Sequence, residues 1–151
     1  MAKPVIIVRT LVQAEAALAA AAEAGRAIVL ASPPGGALSA GAAFYDALAR
    51  EAAVRHPAAR FTLRVDCADD TGAAMGALRI GISEISCRAP RASKERLAAL
   101  ARRHNAQLAP MTARTWRDSL DLQGVGDPLE ACRERLARRR QTRNARTRGR
   151  D

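Results

Sequence analysis

Residues 27–36 read Ala27-Ile28-Val29-Leu30-Ala31-Ser32-Pro33-Pro34-Gly35-Gly36, and they contain both signals that decide the fold. The first four residues form a short apolar run rich in β-branched side chains, which predicts a buried strand. The prolines and glycines after it predict a loop, and an alanine-rich segment typical of a helix follows. A strand, a glycine loop and a helix in this order are the repeating unit of a parallel α/β sheet.

The same alternation extends along the chain in both directions. Strands are predicted at residues 5–8, 27–30, 61–65, 82–87 and 106–109, with helices between them. The first helix is expected to begin after Thr10, because Thr10 and Gln13 have the spacing of a capping box, and to end at Gly25. Ser39 is the expected N-cap of the second helix.

This pattern predicts a small three-layer α/β sandwich. We expect a four- to five-stranded, mostly parallel sheet of flavodoxin-like or Rossmann-like architecture, with helices on both faces. Half of a (β/α)-barrel, which would need a partner to close, is the alternative.

The chain divides into four predicted parts. Residues 1–110 form the α/β domain, and residues 111–126 lose periodicity and are interpreted as a flap or linker. An amphipathic C-terminal helix is expected at 127–140, because an aspartate N-cap precedes a proline at the first helical position. Residues 141–151 are predicted to be a disordered arginine-rich tail, since their composition cannot bury a core.

Charge is concentrated at the C-terminal end. The chain has 25 basic and 15 acidic residues, and eight of the arginines with one aspartate lie in residues 135–151. Arginines at this density bind phosphates through counterion release, so we expect contact with a polyanion such as nucleic acid, or with an acidic protein. A solvated tail without a partner is the alternative. The predicted polyanion-binding residues are Arg138, Arg139, Arg140, Arg143, Arg146, Arg148 and Arg150.

Composition excludes several classes of protein. Aromatic residues make up only 3% of the chain, so recognition by stacking on bases is poorly supported. Three cysteines without a CxxC pair argue against a disulfide framework and a zinc site. The sequence has no secretory signal and no apolar run long enough to span a membrane, and we therefore expect a cytoplasmic protein.

The glycine loop is the first candidate site. Backbone N–H groups at the start of a helix, with glycines that permit close approach, form a potential anion site at Gly35, Gly36 and Ser39. The spacing matches neither a dinucleotide-binding fingerprint nor a Walker loop. The alternative is a simple strand-to-helix connection.

The second candidate site is the acidic loop after the third strand, at Asp66, Asp69, Asp70 and Thr71. One or two carboxylates with waters and a phosphate are a suitable environment for Mg²⁺, which is the one cofactor predicted. Helix capping by Asp70 and Thr71 is the competing interpretation. Cys67 is expected to be a buried thiol, because the neighbouring acids disfavour its thiolate.

These observations favour a binding or accessory protein without catalytic activity of its own. Its ligand or partner surface would lie on the carboxyl-edge loops, and its tail would contact a polyanion or an acidic partner. A Mg²⁺-dependent enzyme or regulatory domain that acts on a phosphate ligand is the first alternative. A subunit of a larger assembly is the second, so an oligomer is possible.

Overall fold

A computed structural model describes the backbone of residues 2–148 and the side chains of residues 2–138. Six parallel strands form one sheet in the order β5-β4-β3-β2-β1-β6. The predicted α/β class and parallel sheet are confirmed, with six strands rather than four to five. The strands are β1 (Val5–Ile7), β2 (Ile28–Ala31), β3 (Phe61–Asp66), β4 (Glu84–Ser86), β5 (Gln107–Leu108) and β6 (Leu120–Asp121).

Six α-helices connect or follow these strands. They are α1 (Leu11–Ala24), α2 (Ala42–Arg55), α3 (Thr71–Arg79), α4 (Arg91–Arg103), α5 (Ala113–Asp118) and α6 (Pro128–Arg148). The Thr10 hydroxyl accepts the N–H of Gln13 at 3.2 Å, and Gly25 ends α1 with φ 60°, both as predicted. Ser39 is not the N-cap of α2; it lies inside a π-helical segment, Ala37–Gly41, that precedes this helix.

The strand order determines where the helices lie. From β1 to β5 each connection moves one position in the same direction, so right-handed crossovers place α1–α4 on one face of the sheet. In agreement, α1 packs on α2 and α6, α2 on α3, and α3 on α4. The return from β5 to β6 carries α5 across the opposite face.

Side chains along the strands alternate between the two faces. Ile6 and Val8 belong to the main core with the helices, whereas Ile7, Val29 and Ala31 form a small separate cluster with Trp116 of α5. The second helical layer of the sandwich therefore consists of α5 and the chain leading into it. Because α5 has only six residues, no helix covers part of this second face among the described residues.

The segment predicted as a flap or linker, residues 111–126, contains α5 and β6. In the sheet, Leu120 pairs with Ile6 and Asp121 with Ile7, which makes β6 the sixth strand. The Asp121 carboxylate also forms a salt bridge with Arg9. A strand of two residues is too short to show alternation, and the sequence pattern therefore missed it.

Helix α6 docks on α1, as its predicted apolar stripe indicates. Cys132 and Leu136 are buried in the main core, and Arg133 makes two hydrogen bonds of 2.8 Å to Glu23 of α1. The helix extends to Arg148, beyond the predicted end at residue 140.

Most of the predicted polyanion-binding arginines lie outside the residues whose side chains are described. Arg138 is the exception; its guanidinium lies 3.7 Å from the Glu134 carboxylate. In the described part of the chain, no helix combines the length and the apolar character that crossing a membrane requires.

Candidate functional site: a cleft at the carboxyl edge of the sheet

A cleft of about 670 Å³ opens at the carboxyl edge, between the loops after β2, β3 and β4 and the chain that leads from β5 into α5. This volume is typical of small-molecule sites. Its lining combines polar side chains with an apolar wall. The main contributors are Asp66, Ser86, Arg88, Lys94 and Thr112 on the polar side, and Leu108, Pro110, Met111 and Trp116 on the apolar side.

Asp66, the last residue of β3, lies in the floor of the cleft and is only 8% exposed. Its Oδ2 accepts the backbone N–H of Gly35 at 2.7 Å and that of Ala68 at 3.3 Å. Its Oδ1 accepts the hydroxyl of Ser86 at 2.7 Å. Because these donors come from three different loops or strands, the carboxylate holds the floor of the cleft together.

A second link joins the same two loops. The Ser32 hydroxyl accepts the backbone N–H of Asp66 at 2.9 Å and donates to the carbonyl oxygen of Pro33 at 3.0 Å. Ser32 is 1% exposed, and a buried hydroxyl needs both kinds of partner. The ends of β2 and β3 are thus joined by two hydrogen bonds. One runs from the Asp66 N–H to the Ser32 hydroxyl, and the other from the Gly35 N–H to the Asp66 carboxylate.

The two glycines after β2 are explained by the local conformation and packing of the loop. Gly35 has φ 67°, a conformation that favours glycine. At Gly36, a Cβ would lie 2.6 Å from the Ser32 Cβ and 3.0 Å from the ring of Tyr45. The Gly36 N–H donates to the carbonyl oxygen of Pro33 at 3.0 Å, and that of Gly35 to Asp66. Both amides predicted as anion ligands therefore have acceptors within the protein.

Ala68 lines the cleft in a strained conformation, with φ 51°. For a residue with a Cβ, this left-handed region costs about 1–2 kcal/mol. Hydrogen bonds on both sides hold Ala68 there: its N–H donates to Asp66, and its carbonyl accepts the N–H of Arg88 at 2.6 Å. The second of these hydrogen bonds joins the loop after β3 to the loop after β4, and together the two hold Ala68 in the strained conformation.

The other residues of the acidic loop do not line the cleft. Asp70 caps α3, with its Oδ1 accepting the N–H of Ala73 at 2.9 Å, and Asp69 is exposed to solvent. Thr71 lines a different groove, between α3 and α4. Among the described residues, no group of three or more histidine, cysteine, aspartate or glutamate side chains is placed to hold a metal ion. A bound Mg²⁺ would have Asp66 as its one carboxylate ligand in the cleft.

Two cations face the cleft. Arg88 follows β4, and Lys94 lies in the first turn of α4. Both are exposed, and neither side chain has an ion-pair or hydrogen-bond partner within residues 2–138. The positive end of the α4 dipole adds to their field. The lining of the cleft therefore holds two cations and one carboxylate, Asp66, whose three hydrogen-bond donors are neutral groups.

Another part of the lining is apolar. Trp116, the only tryptophan of the chain, is half-buried and contributes both to the second-face cluster and to the cleft. Met111 also lines the cleft, and its Sδ accepts an N–H of Arg64 at 3.0 Å. The same cleft is thus lined by a flat apolar side chain and by two cations.

The two cysteines near this edge have raised pKa values. Burial, with smaller contributions from Cys87 and Asp66, raises the pKa of the Cys67 thiol to about 12. Burial and the neighbouring acids also raise the pKa of Cys87, although Lys94 opposes the change. The predicted buried thiol at Cys67 is confirmed, but burial is a larger cause of its raised pKa than the carboxylates.

No family model matches this sequence, and no curated protein is similar to it. The function is therefore argued from the geometry of the cleft.

Of the predicted site residues, Gly35 and Asp66 line the cleft, whereas Gly36, Ser39, Asp69 and Asp70 do not. Arg88, Lys94 and Trp116 line it and were not predicted. The rule that loops after parallel strands meet at one edge applies equally to the loop after β4, and it would have indicated Arg88. Trp116 has no such signal, because it reaches the edge from the second face.

Proposed function

We propose that this chain is a binding protein whose ligand is a small organic anion with a flat apolar body. The observation that carries the proposal is that two unpaired cations, Arg88 and Lys94, line the same cleft as Trp116 and Met111. A guanidinium binds a carboxylate or phosphate through paired hydrogen bonds, and a lysine adds a second charge. An indole offers the apolar part of the ligand a rigid surface.

Binding without catalysis fits the groups in the cleft. The Asp66 carboxylate accepts three hydrogen bonds from the protein, which fix it in place as a structural acceptor. The nearby thiols have raised pKa values and stay protonated at neutral pH. His56 and His104 cap the C-terminal ends of α2 and α4, which lie at the opposite edge of the sheet.

Thermal-shift measurements with defined probes test the proposal. The probes are 1-naphthoate and phenyl phosphate, with neutral 1-naphthamide and inorganic phosphate as controls. A ligand that binds the native state raises the melting temperature, so both aromatic anions should raise it more than either control. The double variant Arg88→Ala/Lys94→Ala should lose this effect. The matched variant Arg79→Ala/Arg102→Ala, which removes two exposed cations outside the cleft, should keep it.

Two results would overturn the proposal. One is the absence of stabilisation by either aromatic anion. The other is equal stabilisation of the wild type and both double variants, which would place binding on the arginine-rich end of α6 or elsewhere.

The concentration of arginine after Arg135 supports a second activity, the attachment of the protein to a polyanion. Replacement of Arg143, Arg146, Arg148 and Arg150 by glutamine should weaken binding to heparin and lower its salt dependence. A wild-type protein that does not bind heparin at low salt would refute this attachment.

The Mg²⁺-dependent alternative has less support, because Asp66 and Asp70 already accept hydrogen bonds from the protein. Titration of Mg²⁺ with phenyl phosphate present, against wild type, Asp66→Asn and the control Asp69→Asn, tests it. Metal-dependent binding that Asp66→Asn abolishes and Asp69→Asn keeps would restore that alternative.

A further inference from the structure

A second groove, of about 450 Å³, runs between α3 and α4 on the outer surface of the helical layer. It is separate from the carboxyl-edge cleft and shares no lining residue with it. Its apolar lining comes from Met75 of α3 and from Leu97, Ala99 and Leu100 of α4. Its polar lining comes from Thr71 and Ser93 and from two arginines of α4, Arg96 and Arg103.

The two arginines are unpaired and regularly placed. They are seven positions apart on α4, which is two helical turns or about 10.5 Å. Both are exposed, and neither has an ion-pair or hydrogen-bond partner among residues 2–138. The one acidic residue of α4, Glu95, already lies 3.6 Å from Arg91. The groove therefore presents two unneutralised guanidinium groups beside an apolar surface.

We propose that the α3–α4 groove docks an acidic amphipathic helix of a partner protein. The apolar surface suits a helix face with leucine-like residues at positions i, i+3, i+4 and i+7. Carboxylates two turns apart on that helix would match the spacing of Arg96 and Arg103 and form charge-assisted hydrogen bonds.

Charge argues against other occupants. A second copy of this chain carries a formal charge of +10, and its own α2 acids, Asp46 and Glu51, lie beside Arg50 and Arg55. The arginine-rich end of the same chain would be repelled by the two guanidinium groups. Nucleic acid suits the arginines, but its phosphates gain nothing from the apolar surface between them.

The test uses a fluorescein-labelled helical peptide of about 18 residues with leucines on one face and glutamates seven positions apart beside it. A scrambled peptide of the same composition is the control. Fluorescence anisotropy should show saturable binding of the ordered peptide to the full chain. The variant Arg96→Glu/Arg103→Glu should weaken it by about tenfold or more, because each substitution removes an attraction and places a like charge against the peptide carboxylates. The matched variant Arg91→Glu/Arg102→Glu has the same net charge and should change binding by less than about threefold.

Ala99→Gln supplies a test that does not alter charge. Ala99 lines the groove and is exposed, so the melting temperature should change little, while the ordered peptide should bind more weakly. Amide chemical-shift changes on peptide addition should fall on α3 and α4.

Four outcomes would overturn the proposal: no saturable binding up to about 1 mM peptide, equal affinity for the scrambled peptide, equal loss in both double variants, or shifts confined to α6. Tighter binding of a single-stranded RNA oligonucleotide, lost only in Arg96→Glu/Arg103→Glu, would also overturn it and assign the groove to nucleic acid.

Discussion

The Asp66 carboxylate at the end of β3 accepts a 2.7 Å hydrogen bond from the backbone N–H of Gly35, which lies 31 positions earlier in the chain. This contact joins the two loops that the sequence marks most clearly. The contact explains the aspartate, whose carboxylate accepts this N–H, whereas the glycine is explained by its φ of 67°. These two loops form the floor of the cleft. The unpaired cations, Arg88 and Lys94, lie after β4, in the next loop along the sheet and in the helix that follows it.

Asp66→Ala should lower the free energy of unfolding by about 2–3 kcal/mol. Alanine has no acceptor, so the Ser86 hydroxyl and the Gly35 N–H both lose the oxygen to which they donate. Urea denaturation measures the change. Asp69→Ala, at an exposed position of the same loop, should stay within about 0.5 kcal/mol of wild type. Equal stability of the two variants would show that Asp66 does not hold the floor of the cleft.

Gly36→Ala and Gly76→Ala should change stability in opposite directions. The new Cβ at Gly36 would lie 2.6 Å from Ser32, and overpacking of this kind costs about 1–3 kcal/mol. At Gly76 the Cβ meets open space, and the helix gains about 0.5–1 kcal/mol. Thermal unfolding of both variants under the same conditions measures the difference. A stable Gly36→Ala protein would mean that the loop after β2 can move away from Tyr45.

Ala68→Gly should not destabilise the protein, although most substitutions by glycine do. Relief of the left-handed backbone strain gives about 1–2 kcal/mol, while the greater freedom of the unfolded chain costs about 0.4–1 kcal/mol. The expected net change is a gain of up to about 1.6 kcal/mol, measured by urea denaturation. Ala73→Gly, within α3, is the control and should lose about 1 kcal/mol. A comparable loss at both positions would contradict the strain at Ala68.

Alkaline pH should weaken the fold through its buried thiols. Burial raises the pKa of Cys67 to about 12 and that of Cys132 to about 11, so on raising the pH the unfolded chain loses these protons first. The stability that the thiols contribute is complete below about pH 9 and is lost as the pH rises from there toward the folded-state values. Each thiol that ionises only in the unfolded chain adds a slope of about 1.4 kcal/mol per pH unit.

The variant Cys67→Ala/Cys132→Ala isolates this effect. Urea denaturation between about pH 8 and pH 10 should show a shallower loss of stability in the variant than in the wild type. The comparison removes the contribution of lysine and tyrosine, which titrate in both proteins. Identical slopes would mean that the thiols ionise equally in the folded and unfolded chains.

Local patterns were sufficient to predict most of the fold. The β-branched runs at β1 and β2, the capping residue Thr10 and the C-terminal Gly25 each act through contacts within a few residues of themselves. Sequence periodicity reports such contacts directly, and these predictions are confirmed. The class of fold follows from their alternation.

Long-range packing explains what the sequence could not predict. β6 is defined by its pairing with β1, which lies more than 100 positions away, and two residues carry no pattern of their own. The cleft depends on Arg88 and Trp116, which are brought together because the chain after β5 crosses the second face of the sheet. No local signal indicates which face that crossing takes.

Fluorescence of Trp116 tests the central claim most directly, because this single tryptophan lines the cleft and reports on its occupancy. Titration with phenyl phosphate, which does not absorb where tryptophan emits, should change the emission saturably in the wild type and in Arg79→Ala/Arg102→Ala. In Arg88→Ala/Lys94→Ala the same change should need at least about tenfold more ligand. An emission that does not respond in the wild type, or that responds equally in all three proteins, would contradict an anion-binding cleft built on Arg88 and Lys94.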